Sequence, residues 1–252
     1  MYKLILYIRA ALYWVGFGSS TLLTGLISPF LLPLSHETSY KILVPWTSFN
    51  LWWLKITCGV KYNLLGHENI DLKRNGIILA NHQSTWETLL IPSIFPPVSW
   101  VLKKELFKIP FFGWALARVK PIAIDRDAGS SAVDQVKIKG KGRLDEGNWV
   151  CIFPEGTRVN PGETKRYRMG GALLAQFCAE QSNDGEGYPI YPLAHNAGKC
   201  WPRHSFIKRP GTITVSIGQP FSVKGLEPTE INDKVKEWIE AEVEKMPPAV
   251  KE

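Results

Sequence analysis

His82 and Glu87 are the pair whose types and spacing could move a proton. His82 follows the apolar run Ile77-Ile78-Leu79-Ala80, sits among Asn81, Gln83, Ser84 and Thr85, and precedes Glu87 by five residues. A carboxylate bonded to one imidazole nitrogen fixes the tautomer and stabilises the imidazolium, leaving the other nitrogen to take a proton from a hydroxyl. Five residues along a regular helix are out of alignment by about 140°, so the two do not share a helix face. They meet only if His82 lies in the turn before a helix and Glu87 in its first turns. Spacing alone fits a helix-start histidine beside a surface glutamate better than it fits the pair.

A second polar corner is Phe153-Pro154-Glu155-Gly156-Thr157-Arg158. Proline and glycine turn the backbone sharply and present N–H groups beside a guanidinium, which pairs bidentately with phosphate. Lys165, Arg166 and Arg168 follow closely, and Arg126 ends another apolar run. Arg126, Glu155, Gly156, Thr157 and Arg158 thus read as a cradle for a phosphomonoester; the alternative is a solvated basic loop. Lys103 and Lys104 open a basic, aromatic stretch that ends at Trp114. His195, at the end of a further apolar run, fits either a second acid/base group or, preferred here, a structural or acyl-pocket role. His36, His67 and His204 read as surface residues. The chain has no G-x-S-x-G elbow, Walker A loop, G-x-G-x-x-G or H-E-x-x-H, so serine hydrolase, P-loop, dinucleotide and zincin chemistries have no motif to stand on.

The elements that must position these residues are legible as hydrophobic runs. The 252 residues carry a net charge of +7, which points to an anionic partner; no nucleic-acid motif accompanies the charge. From Ala10 to His36 there is no Lys, Arg, Asp or Glu, long enough for a membrane span, but Pro29 and Pro33 argue against one straight helix. A second apolar segment, 42–60, carries Trp46, Trp52 and Trp53, a residue type suited to the membrane interface. Two readings stand: a hairpin dipping into one leaflet, or a transmembrane helix followed by a core helix. In either, residues 1–60 associate with a membrane and Lys3 and Arg9 stay on its cytoplasmic side. The cysteines, Cys58, Cys151, Cys178 and Cys200, form no C-x-x-C and have no histidine at zinc spacing, so reduced buried thiols and no metal site are expected.

From residue 61 to 252 strands alternate with helices. Strands are expected at 62–66, 76–80, 98–102, 121–124, 149–153, 190–194 and 212–217. Helices are expected at 85–94, 132–146, 171–181 and 228–246, the last with Ile231, Val235, Trp238, Ile239 and Val243 on one stripe. This is an α/β pattern: a mixed, largely parallel sheet flanked by helices, preceded by the membrane-associating two-helix segment. The polar corners fall at strand C-terminal ends, where open α/β sheets bind ligands.

Taken together, the blocks resemble the glycerolipid acyltransferases of the lysophosphatidic acid acyltransferase type. That family's N-H-x-x-x-x-D block stands here as Asn81 to Glu87, its strand ending in I-D-R as Ile124-Asp125-Arg126, its F-P-E-G-T-R as Phe153 to Arg158, and its apolar-proline block as Tyr191-Pro192-Leu193. The Lys103-Lys104-Glu105-Leu106 stretch and the apolar N-terminus are similar too, and the resemblance covers about residues 60 to 220. It implies that His82 is the general base, oriented by Glu87, for a lysophospholipid hydroxyl that attacks the thioester of acyl-CoA or acyl carrier protein. The product would be phosphatidic acid. It implies oxyanion donors among the N–H groups near Glu155-Gly156-Thr157, Arg158 and Arg126 on the acceptor phosphate, and Lys103, Lys104 and Lys165 as contacts to the donor or a basic surface. No metal or redox cofactor is implied; the partners are membrane lipids, the acceptor and the acyl carrier. Two other readings keep the fold: acyl transfer to another lysolipid, and a lipid-binding protein without catalysis. The one departure is Glu87 where the family shows aspartate, so Glu87→Asp is expected to be tolerated or better.

Overall fold

A computed structural model describes residues 1–125 and 130–250. Seven strands form one sheet: β1 (Val60–Leu65), β2 (Ile77–Ala80), β3 (Val98–Lys103), β4 (Ile122–Ile124), β5 (Trp149–Ile152), β6 (Ile190–His195) and β7 (Gly211–Ile217). Their order across the sheet is β1-β7-β6-β2-β5-β3-β4. Neighbours run parallel except β6 and β7, where Ala194 faces Ser216 in antiparallel register. Strands β2 to β6 therefore all end on one edge.

The central strand β2 is buried along its whole length, and its side chains alternate between faces. Ile78 and Ala80 join a core with Leu54, Trp86, Leu89, Trp149 and Tyr191, under α3 (Pro45–Cys58) and α4 (Trp86–Ile94). Ile77 and Leu79 join a second core on the opposite face. There they meet Val136, Leu174 and Val235 from α6 (Ser130–Asp145), α7 (Gly170–Glu180) and α8 (Pro228–Lys245). The expected stripe of α8 is turned inward, with Ile231, Val235 and Ile239 fully buried. The helix starts on a capping box between Glu227 and Glu230, with Pro228 in its first turn.

The N-terminal segment is a helix pair. Helix α1 (Tyr2–Ile27) runs on through a 3-10 turn, and Tyr2–Leu31 is long and apolar enough to cross a membrane. After the short α2 (His36–Leu43), α3 returns along α1: Arg9 Nε donates to Thr57 O (2.6 Å), Trp53 Nε1 to Leu12 O (3.1 Å) and Asn50 Nδ2 to Ser20 Oγ (3.3 Å). Numbers rise on one helix as they fall on the other, so the pair is antiparallel. Leu4, Ile8, Leu12, Val15, Leu22, Leu23 and Trp52 remain exposed, an apolar surface of the sort that meets lipid. The hairpin is tied to the sheet domain as well: α3 packs on α4, and α1 packs on α5 (Phe112–Arg118).

The four cysteines are free and buried. His36 differs from its expected surface position. It is half-buried, with its ring nitrogens 3.2 Å from Arg118 O and 3.3 Å from Asn148 Oδ1. There it joins the start of α2 to α5 and to the approach of β5, a contact between segments more than eighty residues apart that local pattern does not encode. His67 and His204 are exposed.

Candidate active site

His82 lies two residues past β2, in the turn before α4, and Glu87 is the second residue of α4. This is the placement in which the pair can meet, and His82 Nδ1 is 2.6 Å from Glu87 Oε1. The same oxygen accepts the N–H groups of Gln83 (3.1 Å) and Ser84 (2.9 Å). A carboxylate in the first turn also meets the positive end of the helix dipole. Burial raises the Glu87 carboxyl, but His195, the His82 ring and the Ser84 N–H outweigh burial and hold it below its ordinary value. Glu87 is thus ionised, His82 Nδ1 carries the proton, and Nε2 is the nitrogen left to act as base. The imidazole plane is set by Phe153, which stacks on it at 4.0 Å between centroids and 11° between planes; Trp100 stacks in turn on Phe153.

The backbone of His82 is bolted to the second corner. Its N–H donates to Glu155 Oε2 (2.5 Å), and its carbonyl accepts from Val159 N (2.7 Å). The Glu155 carboxylate is therefore spent on positioning His82 and is buried at 7% exposure. This corrects its expected place in a phosphate cradle. Gly156 turns the chain with φ +70, and a Cβ there would lie 2.6 Å from Arg168 Nε, so the turn requires glycine. The Gly156 N–H closes the turn onto Phe153 O (3.0 Å), which removes it from the oxyanion donors expected of this segment. Arg158 reaches back, Nη1 to Thr85 Oγ1 at 3.0 Å, and so stands beside the turn that carries His82.

A third clamp joins β2 to β6. Asn81 Nδ2 donates to His195 O (2.9 Å), and His195 N donates to Asn81 Oδ1 (3.0 Å), continuing the parallel ladder through a side-chain amide. His195 is fully buried. Its Nε2 donates to Asn81 O (2.8 Å) and its Nδ1 accepts from Ala197 N (3.3 Å). Burial pushes the ring down in pKa, against the pull of Glu87 and of the Asn81 carbonyl. Of the two roles open for His195, these bonds favour the structural one. Its Nε2 faces Glu87 Oε2 at 3.9 Å, the carboxylate oxygen that makes no hydrogen bond of its own.

His82, Ser84, Thr85, Phe153, Gly156, Thr157 and Arg158 open onto one cavity of about 640 Å³. Its remaining walls are largely apolar and come from Phe17 of α1, Leu43 of α2, Trp46 of α3 and Leu116 of α5. Lys103, at the end of β3, also lines it; Lys104 instead pairs with the Asp125 carboxylate. Lys165 lines a separate depression, with Arg166 and Lys236 against α8, and is not brought to the cavity. Strand β4, which leads to Arg126, lies three strands from β2, roughly 14 Å at ordinary strand spacing. Arg126 itself lies outside the described residues. Three contributors escaped the sequence reading: Thr85 as a partner of Arg158, Phe153 as the plate behind the imidazole, and Arg203, which lines the same cavity. Thr85 and Phe153 stand inside sequence blocks, but their partners lie across the sheet edge, and Arg203 carries no local signal.

Glu155 also sets a measurable pH dependence. Burial raises its carboxyl, opposed by the His82 N–H; Glu87 and Glu240 raise it further, Lys165 lowers it, and it is pushed up to about 8 from 4.5. The folded state then binds more protons than the unfolded one between those values, so this group lowers stability progressively as pH climbs from about 4.5 to about 8. Glu155→Gln keeps an acceptor for the His82 N–H and removes that cost. At about 1.4 kcal/mol per pKa unit, the variant is expected to gain a few kcal/mol over the native chain above pH 8, and nothing from this source below pH 4.5. Denaturant midpoints across that range check this; a difference that does not vary with pH would contradict it.

The chain is similar to known proteins along most of its length. The model of the acyltransferase family matches residues 61–196. A 1-acyl-sn-glycerol-3-phosphate acyltransferase of Pseudomonas aeruginosa is 40% identical over 237 residues, covering 92% of this chain and 89% of that one. One from Saccharomyces cerevisiae is 30% identical over 205 residues, 79% of this chain and 63% of that one. The crystal structure of the 1-acyl-sn-glycerophosphate acyltransferase PlsC from Thermotoga maritima superposes with a TM-score of 0.78 at 23% identity, over 97% of both chains, and shares the fold. With its histidine–carboxylate pair set at the sheet edge inside the matched region, the chain belongs to the acyltransferase family.

Proposed function

We propose that this protein transfers a fatty acyl group from a thioester, acyl-CoA or acyl carrier protein, to the free hydroxyl of 1-acylglycerol-3-phosphate, giving phosphatidic acid at the cytoplasmic face of a membrane. The observation that carries the proposal is the opening of the His82–Glu87 pair, 2.6 Å apart, onto a largely apolar cavity with Arg158 in its polar wall. An acyl chain suits the apolar walls, a phosphate suits the guanidinium, and the hydroxyl belongs at the imidazole between them. His82 Nε2 takes the hydroxyl proton as the oxygen attacks the thioester carbonyl. Ionised Glu87 stabilises the imidazolium that forms. Collapse of the tetrahedral intermediate breaks the C–S bond, and His82 returns its proton to the leaving thiolate. The exposed apolar face of the helix pair holds this cavity at the lipid surface, from which both hydrophobic substrates are drawn, and Lys3 and Arg9 favour the cytoplasmic side.

The test is a panel of acceptors with the purified enzyme: 1-acylglycerol-3-phosphate, uncharged monoacylglycerol, and a lyso-aminolipid, each with acyl-CoA and acyl carrier protein in parallel. The phosphomonoester is expected to be preferred. Arg158→Ala is expected to raise its KM by about tenfold to a hundredfold, the worth of a charge-assisted pair at about 1.5–3 kcal/mol, and to leave the donor KM unchanged. A shift in the donor KM alone would contradict the placement of Arg158 on the acceptor.

A further inference from the structure

We infer that Arg203 is a second guanidinium of the phosphate site, supplied by a loop that the first membrane helix holds in place. The inference rests on the acceptor reading above and extends it to a residue outside the family's sequence blocks. A phosphomonoester carries about −1.5 to −2 charges near neutral pH and three acceptor oxygens, more than one guanidinium neutralises. Arg203 lines the same cavity as Arg158 and His82. Its Nη1 donates to Arg158 O (2.8 Å), so the two arginines are joined through backbone, and its Nε donates to His204 Nε2 (2.9 Å). A guanidinium has five N–H donors, and these two bonds leave others for an anion.

The loop is built to hold that position. His204 adopts φ 58, a left-handed conformation uncommon outside glycine, and such positions cluster where a site fixes a side chain. On either side of it the chain is anchored to α1. Trp201 is buried and meets Tyr13 and Trp14 edge-on, at 5.3 Å and 5.9 Å between centroids. Trp14 Nε1 donates to Phe206 O (3.2 Å). Lys208 is fully buried, donates to Phe206 O (2.8 Å) and places its Nζ 3.7 Å from the Trp14 ring and 4.7 Å from the Trp201 ring, packed against both indoles while burial pushes its pKa down to about 7. The exposed Arg203 thus leaves a loop clamped at both ends, and its direction follows from the docking of α1.

The test measures binding and turnover of the full chain in nanodiscs, with the native protein, Arg203→Ala, Arg203→Lys and Arg158→Ala side by side. For Arg203→Ala the dissociation constant and the KM for 1-acylglycerol-3-phosphate are expected to rise about tenfold. Its kcat should stay within about twofold, the donor KM should not move, and uncharged monoacylglycerol should bind it as it binds the native chain. Arg203→Lys should recover part of the loss. Unchanged acceptor binding, or an equal loss with monoacylglycerol, would overturn the assignment. The binding arm separates the two claims: if the native chain binds 1-acylglycerol-3-phosphate through Arg203 without acylating it, the reaction reading fails and the site stands. No binding of that lipid by the native chain would overturn the site itself.

Discussion

His82→Ala is expected to lower turnover of acyl thioester with 1-acylglycerol-3-phosphate by about 10³-fold, within the range for loss of a positioned general base, while KM for both substrates changes little. The reason is geometric. Nδ1 is committed to Glu87 at 2.6 Å, and Phe153 fixes the ring plane at 4.0 Å, so Nε2 is held in one direction at the cavity wall. No other described histidine lines the cavity: His195 is enclosed between β2 and β6, and His36, His67 and His204 lie elsewhere on the chain. Thiol release assayed with a colorimetric reagent checks this. Full turnover in the variant would remove His82 from the mechanism.

Substitutions at Glu87 should have the next largest effect, and the structure changes the order expected for them. Glu87→Gln keeps an oxygen for the Gln83 and Ser84 N–H groups and for His82 Nδ1 but loses the charge that stabilises the imidazolium. A fall of about 10²-fold or more in kcat is expected. The sequence comparison favoured aspartate as an equal or better residue. The three donors on Oε1, at 2.6, 3.1 and 2.9 Å, show instead that α4 is set for the longer side chain. Aspartate would withdraw the carboxylate by roughly 1.5 Å, one C–C bond, and strand those donors. Glu87→Asp is therefore expected to retain more activity than Glu87→Gln but to fall well below the native chain. Rates in the order native, Asp, Gln support the fit, and an aspartate variant at or above native activity would contradict it.

Much of this site was legible in the sequence because its parts are local. The apolar run into Asn81-His82, the helix start at Trp86 and the glycine turn after Pro154 each follow from a few neighbouring residues. So does the rule that places such corners on one sheet edge. What was not legible depends on which strands become neighbours. Glu155 reads as a cradle residue until β5 lies against β2, where its carboxylate meets the His82 N–H. Lys165 reads as part of the same cluster until its loop packs on α8, away from the cavity. The reversal of β7 against β6 has no sequence signature, because a parallel and an antiparallel neighbour need the same apolar alternation. Arg203 sits in a loop with no motif and gains meaning only from its bond to Arg158 O and the aromatic anchors on α1.

Passage of the thioester acyl group to an acceptor hydroxyl activated by His82 is the core of the proposed reaction. It is tested most directly by supplying isotopically labelled acyl-CoA or acyl carrier protein with 1-acylglycerol-3-phosphate and following the label by mass spectrometry. The label is expected in phosphatidic acid, one acyl group per thiol released, with both products lost in His82→Ala. Label appearing as free fatty acid at a rate indifferent to the acceptor would contradict it.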